Sequence, residues 1–242
     1  MPNDIFDAEI ASTYDDDVSA AFAPDVVGRA VDVLQELAGG GAALEFASGT
    51  GRIALPLAAR GVHVHGIELS TAMIAEMARK PGADQVSVEV GDMASATAPG
   101  RFSLVFLVFN TITNLLTQAE QVACFANAAA HLDPGGHFVI ETLVPKLQRL
   151  QPGERFIPFD VSDDHIGFDE YDVVNQRSTS HHRWTRNGHT SSFSSQHRWA
   201  YPAEYDLMAQ LAGMSMIHRW SDWDRSAFTA ESTSHVSVWR KR

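Results

Sequence analysis

The sequence predicts an α/β fold: a parallel sheet with helices on both faces, and an antiparallel β cap inserted after the fifth strand. Three observations carry this prediction. Short apolar runs alternate with helix-patterned segments between residues 43 and 143, as right-handed strand–helix–strand crossovers require. The run F-S-L-V-F-L-V-F (102–109) is too continuously apolar for a strand with one wet face, so it belongs at the centre of a parallel sheet. After Pro145 the alternation stops, and residues 146–200 turn polar, aromatic and histidine-bearing.

Taken in order, residues 1–41 read as helical, with apolar spacing in A-A-F-A-P-D-V-V-G-R-A-V-D-V-L-Q-E-L and a stop at Gly39-Gly40-Gly41. A-L-E-F-A (43–47) is a short buried strand. R-I-A-L-P-L-A-A-R (52–60) is a helix with Pro56 near its first turn, where a missing N–H costs least. V-H-V-H-G-I-E-L (62–69) is the second strand, followed by a helix from Ser70, a plausible cap, to about Lys80. V-S-V-E-V (86–90) is the third strand and 102–109 the fourth. Q-A-E-Q-V-A-C-F-A-N-A-A-A-H-L (118–132) is a helix closed by D-P-G-G, and H-F-V-I-E-T-L (137–143) is the fifth strand. Within 146–200, Asn187-Gly188 predicts a two-residue hairpin turn that pairs Trp184 with Ser191 and His182 with Phe193 on one face. A helix from Pro202 to Leu211 and two strands, M-S-M-I-H-R-W and H-V-S-V-W, close the chain. The expected division is a core of residues 1–145 and 201–242 with a cap of 146–200.

The 242 residues suit one domain with a subdomain, and a hydrophobic content of 45% is ample for its core. No apolar run approaches a membrane span, and M-P-N-D-I-F-D-A-E-I lacks a basic and apolar leader pattern, so a cytoplasmic protein is expected. One cysteine, Cys124, excludes an internal disulfide and a four-cysteine zinc site. A formal charge of −12 with no basic cluster argues against nucleic acid and suits a cationic small ligand. The adjacent His181 and His182 would point to opposite faces of a strand, His63 and His65 read as packing residues, and no metal site is expected.

In open parallel sheets ligands bind at the carboxyl ends of the strands. Here those ends carry Gly49 and Gly51, then Glu68, then Asp92, then Phe109-Asn110. Bare backbone admits a ligand closely, a carboxylate about twenty residues on can accept from both ribose hydroxyls, and a third-strand acid can accept from an adenine amine. The set describes a nucleoside pocket.

L-E-F-A-S-G-T-G-R (44–52), G-I-E-L-S (66–70) and G-D-M (91–93) resemble the successive motifs of class I S-adenosylmethionine-dependent methyltransferases, which have a Rossmann-like core. Ala47 replaces the first glycine of the usual loop, narrowing the backbone approach there. The resemblance implies S-adenosylmethionine as the methyl donor. It implies donor contacts from Ala47, Gly49, Gly51, Glu68, Leu69, Met73, Asp92, Met93 and Phe109, with Glu45 orienting the loop. Tyr14 matches a tyrosine that in this family folds over the donor's methionine end; its other reading is helix packing. Arg52 could pair with the donor's carboxylate or simply be solvated. The rival is an NAD(P)-binding oxidoreductase, since G-T-G-R-I-A fits a dinucleotide fingerprint. That rival lacks a second mononucleotide half and a Tyr-x-x-x-Lys pair. A non-catalytic donor-binding protein, with the cap mediating association, is a further alternative.

For the acceptor, Phe109-Asn110-Thr111-Ile112 stands where base-methylating enzymes have N/D-P-P-Y/F, and Cys124 lies mid-helix rather than in a proline-cysteine nucleophile. The cap and F-N-T-I-T-N-L (109–115) are similar to bacterial small-molecule methyltransferases of the amino-sugar and lincosamide type. N-methylation of a small molecule is therefore expected ahead of O-methylation. Tyr14, Asn110, Glu141 and Trp184 are the candidate acceptor contacts, and Glu141 and His182 the candidate bases. Glu141 interrupts an apolar strand, so its carboxylate must be paired or functional. The aromatic cap face could alternatively be an oligomer contact.

Overall fold

The computed structural model describes residues 6–186 and 188–242. Two helices, α1 (Ala8–Asp17) and α2 (Pro24–Ala38), precede the sheet. The helical stretch is thus broken in two: Pro24 opens α2 with its fixed φ, and Ala23 before it is extended. Then follow β1 (Ala43–Phe46), α3 (Ala54–Ala59), β2 (Val64–Glu68), α4 (Thr71–Ala78), β3 (Val86–Val90), β4 (Phe102–Leu107), α5 (Gln118–His131) and β5 (Leu132–Leu143). Ser70 caps α4 by accepting from the Met73 N–H, and Thr117 with Glu120 forms a reciprocal capping box on α5. The D-P-G-G stretch is absorbed into β5 as an irregularity before His137 resumes register with Leu104.

After the cap come α6 (Pro202–Leu211), β10 (Met214–Trp220) and β11 (Ser234–Lys241). The large sheet has the order β10-β11-β5-β4-β1-β2-β3, with β1 to β5 mutually parallel and β11 antiparallel to β5. As its apolar run requires, β4 is central, and its alternate side chains feed two cores. Val105 and Leu107 pack with Phe125, Tyr205 and Trp239 on the α5/α6 side, while Leu104 and Phe106 pack with Leu34, Leu57 and Val139 on the α2/α3 side. Phe125 meets Phe138 edge-on at 5.0 Å and Trp239 at 5.3 Å, so truncating it to alanine would cost about 3–5 kcal/mol.

The cap is a four-stranded meander: β6 (Phe156–Val161), β7 (His165–Asp172), β8 (Arg177–Arg186) and β9 (His189–Arg198). Trp184 pairs with Ser191 and His182 with Phe193, the register the turn predicts; Asn187 itself lies outside the described residues. Strand β6 escaped the pattern because Pro158 and a bulge between Pro158 and Asp160 interrupt it, and an edge strand tolerates proline. Arg198, only 4% exposed, ties the meander to the core. It donates to Gln121 Oε1 (2.5 Å), Gln176 Oε1 (3.0 Å) and Glu204 Oε1 (2.6 Å). The Gln121 amide in turn donates to the carbonyls of Ile112, Leu115 and Arg198. Of the expected packing histidines, His65 is buried near Phe102, whereas His63 precedes β2 and is exposed. Among the described residues no helix is long and apolar enough to cross a membrane, and no His/Cys/Asp/Glu group of metal-binding size occurs.

One buried group makes this fold acid-sensitive. His235 on β11 is fully buried, bonds Ser237 Oγ through Nδ1 (2.8 Å) and leaves Nε2 without a partner among the described residues. Burial and then the Arg219 guanidinium lower its pKa to about 3, against the pull of Asp206. The unfolded chain titrates this imidazole near about 6.5, so below that pH it takes up a proton the folded chain refuses. Its stabilising contribution is whole above about pH 6.5 and falls by up to about 1.4 kcal/mol per pH unit as the pH drops. Denaturant unfolding at pH 7 and pH 5 should show His235→Gln losing about 2 kcal/mol less stability over the interval than the unsubstituted chain. Equal losses would place the proton uptake elsewhere.

Candidate functional site

The strand order reverses between β1 and β4, and the site lies outside their carboxyl ends. Leaving β1, the chain turns through Ala47 (φ 53°), Gly49 (56°) and Gly51 (84°). Ala47 thus keeps the left-handed backbone of the glycine it replaces. A Cβ on Gly51 would sit 2.8 Å from Leu55 and Met77 side chains, so that glycine serves packing beneath the loop. A Cβ on Gly49 would meet nothing within 4 Å: the space above it is open. The loop is held by Glu68 at the end of β2, whose two oxygens accept from the N–H of Gly49 (2.7 Å) and of Ser70 (2.8 Å). Asp92 accepts from the Ala94 N–H (2.8 Å) through Oδ1, and among the described residues Oδ2 has no hydrogen-bond partner.

These groups surround a cavity of about 610 Å³, within the usual range for small-molecule sites. Of the residues singled out from sequence, Tyr14, Ala47, Gly49, Glu68 and Leu69 line it from the α1, β1 and β2 side. Met73, Asp92, Met93, Phe109 and Asn110 line it from α4 and the ends of β3 and β4. An open glycine cradle, a β2 carboxylate, a β3 carboxylate with a spare oxygen and apolar walls fit a nucleoside with a thioether-like tail.

Five predicted residues stand outside the cavity lining. Gly51 is one. The Arg52 guanidinium donates to the Ala21 carbonyl (3.1 Å) and lies 4.8 Å over the Phe109 ring, so it braces a wall residue. Glu141, a candidate base in the sequence, has both oxygens engaged: Oε2 accepts from the Phe109 N–H (2.9 Å) and Oε1 from the Trp223 indole (2.8 Å). The apolar interruption in β5 is explained by pairing, because Phe109 and Asn110 both sit at positive φ and Glu141 holds that turn. Asn110 Oδ1 similarly accepts from Thr142 Oγ1 (2.5 Å) and the Leu143 N–H (3.1 Å). His182 and Trp184 lie further out on the cap, ring-stacked with His165 at 5.2 and 4.9 Å.

Sequence reasoning missed Thr113, Ser195 and His197, which wall the cap side of the cavity. The signal was present for two of them. Counting on by twos from Phe193 puts Ser195 and His197 on the face that carries His182 and Trp184.

Charge in the site is one-sided. The ionisable lining side chains are Glu68, Asp92, Glu120, Tyr14 and His197, with no lysine or arginine. Burial raises the Tyr14 pKa against the pull of Arg52. Burial also pushes Glu45, beneath the loop, well above the carboxylate range, with Arg52 opposing. Glu45 Oε2 is buried without a partner among the described residues, while the Ala54 N–H bonds its carboxyl group, which suits the expected loop-orienting role. Burial lowers the pKa values of His182 and His197.

Two outcomes follow from the loop. Ala47→Gly should raise stability by up to about 1 kcal/mol, since an L side chain pays about that at left-handed φ, and Ala47→Val should lower it. Thermal melts of both variants check this; a destabilised glycine variant would contradict it. Glu68→Ala should weaken S-adenosylmethionine binding by about 1.5–3 kcal/mol, measured by calorimetry, because a charged acceptor and the loop it holds are lost together. Unchanged affinity in a folded variant would remove Glu68 from the donor site.

Comparison with known proteins agrees with this geometry. The family model described as "Methyltransferase domain" matches residues 43–136. The chain is 37% identical to the CcbJ methyltransferase of Streptomyces caelestis, covering 96% of each chain, with a TM-score of 0.85. It is 40% identical over 98 residues to a dTDP-3-amino-3,6-dideoxy-alpha-D-glucopyranose N,N-dimethyltransferase of Streptomyces fradiae, spanning 40% of this chain and 38% of that one. To a cypemycin N-terminal methyltransferase of Streptomyces sp it is 25% identical over 198 residues, 81% of each. S-adenosylmethionine is the donor such enzymes use, and the cavity fits it. With a relative this similar over nearly its whole length, the chain belongs to the S-adenosylmethionine-dependent methyltransferases.

Proposed function

We propose that the enzyme N-methylates a small organic amine, bound between the donor pocket and the cap. The observation that carries this reading is the lining of the cavity, in which carboxylates and a histidine occur without lysine or arginine. An amine reaches the site as an ammonium ion, which such walls attract. A hydroxyl acceptor would have to approach alkoxide character in a cavity lined by no lysine or arginine, where negative charge is disfavoured. S-adenosylmethionine, when bound, supplies a methyl group on a positively charged sulfur. The chain's own part is alignment and exclusion of water. Gly49, Glu68 and Asp92 hold the nucleoside end, and Tyr14 and Phe109 close over the other. Glu141 and Arg52 act one step back, fixing Phe109. One of the relatives compared above is named an N,N-dimethyltransferase and another an N-terminal methyltransferase, and these names support an amine acceptor here.

The half-buried rings of His165, His182 and Trp184 continue the sheet face of Ser195 and His197. This shelf would carry the part of the acceptor that does not react. Gly167 on it has no room for a side chain, since a Cβ would fall 2.2 Å from the Phe159 ring.

Incubation with S-adenosylmethionine and a panel of amines and matched alcohols, read by mass spectrometry, should show amines gaining the mass of one methylene group. Methylation of alcohols alone would reverse the reading. Trp184→Ala should lower kcat/KM for the acceptor by about tenfold, roughly the worth of one lost aromatic contact, with donor affinity intact. If the face is instead a packing or oligomer surface, melts and light scattering will change while acceptor kinetics stay normal.

A further inference from the structure

The cap side of the cavity holds a hydrogen-bonded chain whose direction can be derived. Thr113 Oγ1 donates its single proton to the Asn110 carbonyl at 2.8 Å. It can therefore only accept from His197 Nδ1, 3.2 Å away, so Nδ1 carries the ring hydrogen. In a neutral imidazole Nε2 is then bare and accepts from Ser195 Oγ–H at 2.8 Å. Ser195 is in the cavity wall, and its lone pairs remain available to accept a proton. The Arg198 anchor lies directly after this pair, and the 3-10 turn Thr111–Asn114 holds its far end, so the geometry is braced from both sides.

We propose that Ser195 and His197 are the proton-accepting pair of the acceptor site, with Thr113 and the Asn110 carbonyl fixing the imidazole. This rests on the amine reading above. In the step, an N–H bond of the bound ammonium breaks and its electron pair stays on nitrogen. Ser195 Oγ takes that proton and passes its own to His197 Nε2, which becomes imidazolium. The nitrogen pair can then form the bond to the methyl carbon while the carbon–sulfur pair stays on sulfur. The imidazolium afterwards returns its proton to water by the reverse path, so no further reactant is needed. Burial lowers the His197 pKa and so favours the neutral ring, the form that can take a proton. The charged groups acting on it are Asp169 of β7, which favours the imidazolium, and His182 of β8, which opposes it. Tyr14 of α1 and Glu120 of α5 line the same cavity. Ser195 touches the acceptor; His197 acts through it.

The test uses the 242-residue chain with two amine acceptors of different basicity. The acid limb of kcat against pH should contain one apparent pKa common to both acceptors, belonging to His197, beside one that moves with the amine. His197→Gln, which keeps a hydrogen-bonding amide but takes no proton, should lose the common pKa and lower kcat by about a hundredfold or more, the usual worth of a general base. Ser195→Ala, a smaller cut that serves if the first variant fails to fold, should show the same loss. Donor affinity by calorimetry should be unchanged in both. Independently of turnover, ¹⁵N NMR of the free enzyme should show His197 as the Nδ1–H tautomer, and Thr113→Val should abolish that preference. Retained kcat and acid limb in a folded His197 or Ser195 variant, or an Nε2–H tautomer, would overturn the proposal. If alcohols rather than amines are methylated, the amine reading fails, and the pair stands or falls on whether His197→Gln abolishes that transfer.

Discussion

The site depends on a buried guanidinium. Arg198 sits at the end of β9 with almost no solvent contact, and a charge so placed is tolerable only when it is paired and hydrogen-bonded. Glu204 of α6, Gln121 of α5 and Gln176 before β8 supply the acceptors, so one residue ties cap, core helix and C-terminal helix together. Such an ion pair adds little net stability over an apolar substitute; what it confers is a fixed placement. The placement matters because Ser195 and His197 precede Arg198 on the same strand. Were β9 to slip by one residue, the Ser195 and His197 side chains would turn to the opposite face of the sheet, away from Thr113.

A second constraint is stored in the backbone around the pocket. Ala47, Phe109 and Asn110 are non-glycine residues at positive φ, and all three line the cavity. Conformations of this kind persist only where the surroundings over-determine them. Here the determinants are visible: Glu141 and Arg52 grip Phe109, and Thr142 and Leu143 grip the Asn110 side chain. The turn after β4 is consequently aimed by the end of β5, and an aromatic wall residue is held in place by a carboxylate that never enters the pocket.

What could be read from the sequence was local. The glycine turn, the strand-end acids Glu68 and Asp92 and the central β4 were legible because spacing within a few residues determines them. The β8/β9 register was legible because the position of Asn-Gly in the sequence implies it, and Arg186 pairs with His189 accordingly. The role of Glu141 was not: its interruption of an apolar strand signalled a partner, but the partner, Trp223, lies 82 residues away. The wall formed by Thr113 and His197 joins segments 84 residues apart, and the Arg198–Gln121 contact spans 77. No periodicity encodes such meetings. Strand β6 was hidden by Pro158, which breaks the alternation that marks a strand while leaving an edge strand intact.

The topology also sets an order of assembly. β11 lies between β5 and β10, yet it is the final strand of the chain. As the polypeptide emerges from the ribosome, the outer edge of β5 has no partner until the whole cap, α6 and β10 have been made. During that interval a row of backbone donors and acceptors beside Val139 and Ile140 is open to any stray strand. The meander, by contrast, pairs only sequence neighbours and can form at once. The meander that walls one side of the cavity is therefore complete in the nascent chain before the large sheet can close.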